Sequence, residues 1–278
     1  MQVLVTGNQG RIGRYVQAQL EEAGHTVVGF DRASGDDMRD PAAVRAAAQG
    51  CDGIIHMAAM LADPKDDPND VMHVNLQGTW HVLTAAEALN IRRVVTFSSV
   101  NAMGIFIGES VPDFFPIDES HTCRPGRPYA LSKYLGEEMC RLFTRRTGIT
   151  TVCLRPPWVS FPESYQYIRQ RWAEKPESEW TPIWEYGAFC DVRDVAAAAL
   201  LGLTCPDPGH ARLILCADDI MTSGPTSRAL AAQIHPGVEW RGGDQYVQDP
   251  FRALVDNSHA KAVLGWQPRY SWRTVKGQ

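Results

Sequence analysis

The sequence predicts an α/β protein whose parallel, doubly wound sheet carries helices on both faces. Three observations lead there. Short β-branched runs alternate with helical patterns through the first 155 residues. A glycine-rich turn, TGNQGRIG, stands between the first such run and the first helical pattern. An acid, Asp31, closes the second run.

Residues 2–6 read as the first strand, and Ile12, Val16 and Leu20 then mark one face of a helix that Gly24 ends. Residues 27–30 form a second strand, 41–49 a helix and 53–56 a third strand. A long helix is expected over 70–89, a strand over 93–97, a helix over 128–146 and a strand over 150–154. Beyond 155 the texture changes. Trp158, Trp172, Trp180 and Trp184 lie among prolines with Phe161, Tyr165, Tyr167, Tyr186 and Phe189. A helix over 191–203, a strand over 212–216 and a short helix over 257–264 follow. The pattern divides the chain into a sheet-bearing domain, 1–155, and a smaller lobe, 156–278, with segments that return to the sheet.

Composition excludes several function classes. A net charge of −5 and a pI near 5.9, without any basic run, leave no electrostatic footprint for nucleic acid. The start, MQVLVTG, lacks a basic segment and a cleavage-like site, and no stretch approaches the ~20 apolar residues of a membrane span. Seven cysteines without a Cys-x-x-Cys pair read as reduced thiols, so a cytoplasmic protein is expected. No His/Asp/Glu cluster has metal-ligand spacing, so no metal is expected.

The chemistry concentrates in two places. Gly7, Gly10 and Gly13, with Arg11 and Ile12 between them, suit a turn whose backbone approaches a pyrophosphate at a helix N-terminus. Asp31, after the second strand, can accept both ribose hydroxyls of NAD and would repel a 2′-phosphate, which favours NAD over NADP. Arg32 beside it argues the other way, because guanidinium suits phosphate. The second place is PYALSKYLGEE, residues 128–138, where Tyr129 and Lys133 lie one helical turn apart. Such an ammonium favours tyrosinate and makes a proton-transfer pair, but the spacing alone is equally consistent with coincidence. The same helix otherwise carries Arg141, Arg145 and Arg146, so a Lys at 133 marks a compact point charge. His56, at a strand end, reads as a structural histidine.

Together, TGNQGRIG, Asp31, Asp37 in GDDMRD, HMAA at 56–59, Asn75 in VNLQGTWHVLTAAE, FSS at 97–99, YALSK, DVRDVAAAAL and LGWQP resemble the extended short-chain dehydrogenase/reductases, the NAD-dependent epimerase/dehydratase family. The resemblance implies a Rossmann-like cofactor domain and a Ser-Tyr-Lys site. Ser99, five residues before Gly104, would orient the reacting oxygen, and Tyr129 would exchange the alcohol proton. Lys133 would depress the pKa of Tyr129 and hold the nicotinamide ribose. The resemblance further assigns adenine contacts to Asp37 and Met38, and the wall beside the cofactor to Met57, Ala58 and Ala59. Asn75 would support the Lys network and Pro156 would border the cofactor. Met60, Asn101 and Trp158 are the expected substrate contacts, and a homodimer through the long helices is implied.

The sequence departs from the family in places that bear on substrate. Val100 and Asn101 occupy the positions of the dehydratases' Asp-Glu pair, which disfavours water elimination. Members that hold nucleotide sugars carry an Asn where LRPPWVSF has Trp158 and an Arg where YGAFCDVRD has Gly187. Arg169, Arg171 or Arg193 are the candidates to replace that charge. The aromatics between 158 and 189, with Phe106, Phe114 and Phe115, serve either as a sugar-stacking pocket or as core. Short uronate dehydrogenases of the family share the compact build. The sequence therefore predicts NAD-dependent oxidation at a secondary alcohol of a sugar or sugar-like substrate, as a dehydrogenase or an epimerase. A UDP-hexose 4-epimerase and a non-catalytic dinucleotide-binding sensor are the alternatives.

Overall fold

The computed structural model describes residues 1–61, 65–175 and 185–275; Trp180 and Trp184 fall outside the described residues. Among the described residues ten strands occur in chain order: β1 Gln2–Thr6, β2 Thr26–Phe30, β3 Gly53–His56, β4 Arg93–Phe97, β5 Phe114–Phe115, β6 Thr150–Arg155, β7 Trp158–Ser160, β8 Phe189–Asp191, β9 His210–Ile214 and β10 Glu239–Trp240. The helices are α1 Arg11–Glu22, α2 Pro41–Ala47, α3 Pro68–Met72, α4 Gly78–Ala88, α5 Pro128–Thr147, α6 Pro162–Glu174, α7 Val192–Thr204, α8 Ser227–Ile234, α9 Gln245–Gln248 and α10 Ser258–Leu264.

Six strands make one parallel sheet in the order β2-β1-β3-β4-β6-β9. The strands are continuously apolar because both faces are covered, and their period of two sorts side chains between the faces. Val3 and Val5 of β1 point into one core with Val16 and Leu20 of α1 and Val195 of α7. Leu4, between them, points into the other, with Val44 of α2, Val82 of α4 and Phe143 of α5. All three β1 residues are fully buried. The chain winds outward from β1 to β2, then crosses back to β3 on the other side of β1. That reversal opens a crevice beyond the carboxyl ends of β1 and β3, where this fold class binds ligands.

Several elements differ from the sequence reading. The expected helix over 70–89 is α3 and α4 joined by a π-helical turn, His73–Gln77, that contains Asn75. The strand expected over 212–216 is β9, His210–Ile214, at the sheet edge. α6 arises in a stretch that prolines and aromatics made look irregular, and α8 in one the sequence left unassigned; Pro162 sits in the first turn of α6, where a missing N–H costs nothing. Most of the aromatics form core. Phe106, Phe115 and Tyr186 lie in one buried cluster, and Tyr165, Trp172 and Phe189 in another. Among the described residues no helix is long and apolar enough to cross a membrane.

Candidate active site

The glycine loop follows β1 directly. Gly7 has φ +76°, and a Cβ there would lie 2.9 Å from Ala58 N, so only glycine lets the β1 turn pass the end of β3. A Cβ on Gly13 would fall 2.1 Å from Gly7 O, so the helix can start this close to the turn only without one. The resulting cradle presents backbone N–H groups at the N-terminus of α1, the arrangement that receives a pyrophosphate. Thr6 Oγ1 fixes the opposite wall by accepting from Met57 N and Ala58 N, both at 3.2 Å. Asp31 lies just beyond β2. Its Oδ2 accepts from Gln9 N in the loop at 3.0 Å and its Oδ1 from Ala33 N at 2.9 Å.

A cavity of about 730 Å³ runs from this cradle to the end of β4 and the first turns of α5. It is bordered by Gly7, Gly10, Arg11, Ile12, Gly13, Met57 and Ala59 at one end, and by Ser99, Asn101, Tyr129, Lys133, Pro156 and Trp158 at the other. Ser99 caps a short 3-10 turn, Val100–Met103, by accepting from Asn101 N at 3.1 Å. Its hydroxyl lies close enough to the Tyr129 phenol to favour the ionised form. Lys133 donates from Nζ to Phe97 O, the last carbonyl of β4, at 2.7 Å. Asn75 joins the walls: its Oδ1 accepts from Met60 N at 2.7 Å, and its Nδ2 donates to Met60 O at 2.9 Å and Ser132 Oγ at 3.0 Å. The π-helical turn aims this side chain inward.

The other residues named from sequence lie outside that cavity wall. Arg32 is exposed in the 3-10 turn after Asp31. Asp37 pairs with Arg39 at 2.7 Å, which holds its carboxyl below the usual range. Met38 is buried against Gly78, and its carbonyl meets His81 Nδ1 at 2.8 Å. His56 bridges Thr6 Oγ1 (2.7 Å) and Thr79 Oγ1 (3.2 Å), and burial pulls its pKa down to about 3, so it stays neutral.

The Tyr129 phenol is pushed up to about 12. Burial is the main cause, offset in part by the Ser99 hydroxyl and reinforced by the nearby Glu185 carboxyl. Lys133 is itself pulled down to about 8 by burial, against the pull of Glu137. Desolvation opposes both charged forms and exceeds the attraction of an ammonium whose hydrogen bond is made to Phe97 O.

The sequence reading missed three features. Glu137 lies one turn beyond Lys133 and, at 2% exposure, forms a bidentate ion pair with the fully buried Arg155 (2.8 and 2.5 Å) while accepting from Ser98 Oγ. Arg127 borders the cavity, and so does Glu185, whose Oε2 accepts from Trp158 N at 2.6 Å. The candidate replacement cations are not on this cavity wall. Arg193 is held by Asp191 and stacked on Tyr270, and Arg169 is stacked on Trp272. Gly187 has φ +69° and faces Ile220 and Leu230, which leaves no room for an arginine.

A profile of the NAD dependent epimerase/dehydratase family matches residues 3–216. The chain belongs to that family. Among curated relatives, a uronate dehydrogenase of Pseudomonas syringae pv. tomato is 29% identical over 173 residues, 58% of this chain and 60% of that protein. A UDP-glucose 4-epimerase of Rhizobium meliloti is 29% identical over 320 residues, 98% of this chain and 94% of that protein. The chain spans about three-fifths of the uronate dehydrogenase's length. A short-chain dehydrogenase/reductase superfamily protein of Agrobacterium tumefaciens, solved with bound NAD, superimposes with a TM-score of 0.74 at 25% identity, covering 99% of this chain and 94% of that one. Members of this family are NAD-dependent enzymes, and the cradle of Gly7 and Gly13 fits the pyrophosphate of that cofactor.

Proposed function

We propose that the protein is an NAD-dependent oxidoreductase or epimerase acting on a secondary alcohol of a sugar or sugar-like substrate through Ser99, Tyr129 and Lys133. The observation that carries this reading is the convergence of the glycine cradle and these three side chains on one cavity. Its volume, about 730 Å³, is in the range of small-molecule sites. NAD, held by the glycine loop, Asp31 and the Met57–Ala59 wall, supplies the hydride acceptor. Tyr129 takes the hydroxyl proton in the oxidative direction and returns it in the reductive one. Ser99 hydrogen-bonds the reacting oxygen, and the Lys133 ammonium favours the tyrosinate while the proton is away. Val100 and Asn101 supply no acid–base pair, so oxidation, with or without re-reduction on the opposite face, is the reaction class.

Arg127 on the cavity wall favours a second reading, a nucleotide-sugar 4-epimerase, because a guanidinium there can meet a diphosphate. Trp80 and Leu142, 44% and 45% exposed on α4 and α5, support a homodimer through those helices.

A panel of aldoses, uronic acids and UDP-sugars, followed by NADH absorbance and product stereochemistry, tests the reading. Tyr129→Phe should lose about 10²–10⁴-fold in turnover while binding NAD normally. Unchanged turnover would remove Tyr129 from the chemistry.

A further inference from the structure

The substrate end of the cavity holds a carboxyl that the Ser-Tyr-Lys chemistry does not use. Glu185 borders the cavity beside Tyr129, Asn101 and Trp158. One oxygen is fixed by Trp158 N at 2.6 Å, and the side chain lies close enough to the phenol for its charge to act on it. Among the described residues no Lys, Arg or His nitrogen comes within 4.0 Å of it. The stretch just before it, PESEWTPIW, contains two further glutamates and no basic residue. A half-buried acid without a cation, facing the reacting position, must find its partner in the ligand.

We propose that Glu185 filters substrates by charge: ionised, it accepts a hydrogen bond from a neutral sugar's hydroxyl or an ammonium group and repels a carboxylate. The enzyme then takes neutral or amino sugars in preference to sugar acids, which sets it apart from uronate dehydrogenases. This rests on the function proposed above and specifies its substrate class.

The surrounding charges are consistent with that role. Tyr129 from α5 and Cys216, after β9, face Glu185, and both thiol and phenol stay neutral near pH 7 because burial raises them. Lys133 and Arg127 border the same cavity. Lys133 is engaged by Phe97 O, and Arg127 sits beside Glu109, whose carboxylate accepts from Arg127 N at 2.7 Å. Burial raises Glu185 itself to about 7, against the pull of Trp158 N–H. A sugar carboxylate can therefore enter only when Glu185 carries a proton, a fraction that falls about tenfold per pH unit above 7.

The test measures kcat/KM for D-galactose, D-galacturonate and D-galactosamine between pH 6 and 9, at saturating NAD, in the wild type and Glu185→Gln. Tyr129 acts alike on all three sugars, whereas Lys133, near 8 and on the same wall, favours a carboxylate less as it loses its charge; that share is common to wild type and Glu185→Gln, so the comparison of the two isolates Glu185. The galacturonate-to-galactose ratio should fall at least about 50-fold from pH 7 to pH 9 in the wild type, following the protonated fraction. It should fall much less in Glu185→Gln, where only the Lys133 share remains. Should Glu185→Gln misfold, Glu185→Ala gives the same comparison. A flat wild-type ratio, or the same slope in folded Glu185→Gln, overturns the proposal while sugar turnover itself stands. If none of the sugars turns over, calorimetric binding of the three to the NAD-loaded protein gives the same comparison. Binding of none of them overturns both this proposal and the function beneath it.

Discussion

Replacing Glu137 by Gln tests how the protein holds a charged lysine at the bottom of its site. Glu137 and Arg155 are 2% and 0% exposed and joined by two short hydrogen bonds, so the variant strands a guanidinium in the core. Removing one partner of such a pair costs about 3–5 kcal/mol. At about 2–4 °C per kcal/mol for a domain approaching this size, the melting temperature should fall by roughly 10 °C. The second consequence concerns Lys133. Its pKa of about 8 already includes a favourable contribution from Glu137, one turn away. At ~6 Å and an effective dielectric of ~20, Coulomb's law gives that contribution about 2.8 kcal/mol, or roughly two pKa units. Lys133 should then titrate near 6, and its charged fraction at pH 7 should drop from about 90% to about 10%. Isotope-labelled dimethyl-lysine NMR reads this directly, because the chain has only five lysines. The double variant Glu137→Gln/Arg155→Met restores packing without restoring the charge. It should recover most of the melting temperature while Lys133 stays low. A Lys133 pKa that remains near 8 in both variants would refute the reasoning.

Three further outcomes are expected. Gly13→Ala places a methyl where Gly7 O already sits, so NAD affinity should drop at least about tenfold with about 1–3 kcal/mol lost in stability; isothermal titration and thermal melts check both. Asp31→Ser can still cap Ala33 N but lacks the charge that opposes a 2′-phosphate, so the NAD-to-NADP ratio of kcat/KM should fall by at least about tenfold, and an unmoved ratio would take Asp31 out of cofactor choice. His56 sits near 3 when folded and at 6.5 in its ordinary state, so below pH 6.5 the unfolded chain takes up a proton that the folded one refuses. Stability should therefore decline by about 1.4 kcal/mol per pH unit between pH 6.5 and the folded value, with His210, near 4, adding its own loss; urea titrations of wild type and His56→Asn at pH 6.5 and 4.5 isolate the His56 share.

Much of the fold was legible because the central strands β1, β3, β4 and β6 are buried on two faces and so read as largely apolar runs. The cradle was legible for a different reason, since Gly7 and Gly13 stand where any side chain meets backbone. Glu185 was not legible. A third acid after PESEWTPIW looks like surface, and only the return of β8 beside β7 brings it to Trp158 N. Arg155 and Glu137 are 18 positions apart, on a strand and a helix, and their pairing is purely tertiary. A signal did exist, because Tyr129, Lys133 and Glu137 recur at i, i+4 and i+8 along one helical face. Desolvation left no such trace, so the upward pull of burial on the Tyr129 phenol was not legible.

That pull bears on how the site works. With a phenol near 12 and an amine near 8, the protein alone holds Tyr129 protonated at neutral pH. Such a phenol is an acid, set to return a proton to a carbonyl oxygen. To act as a base it needs more positive potential than Lys133 provides from its bond to Phe97 O, and less negative potential than Glu185 provides when ionised. Under the function proposed above, a bound NAD would add the positive charge of its nicotinamide, and a sugar hydroxyl bonded to Glu185 would disperse that carboxylate's charge. Burial of Tyr129 would then tie its basicity to the presence of a substrate proton to be taken.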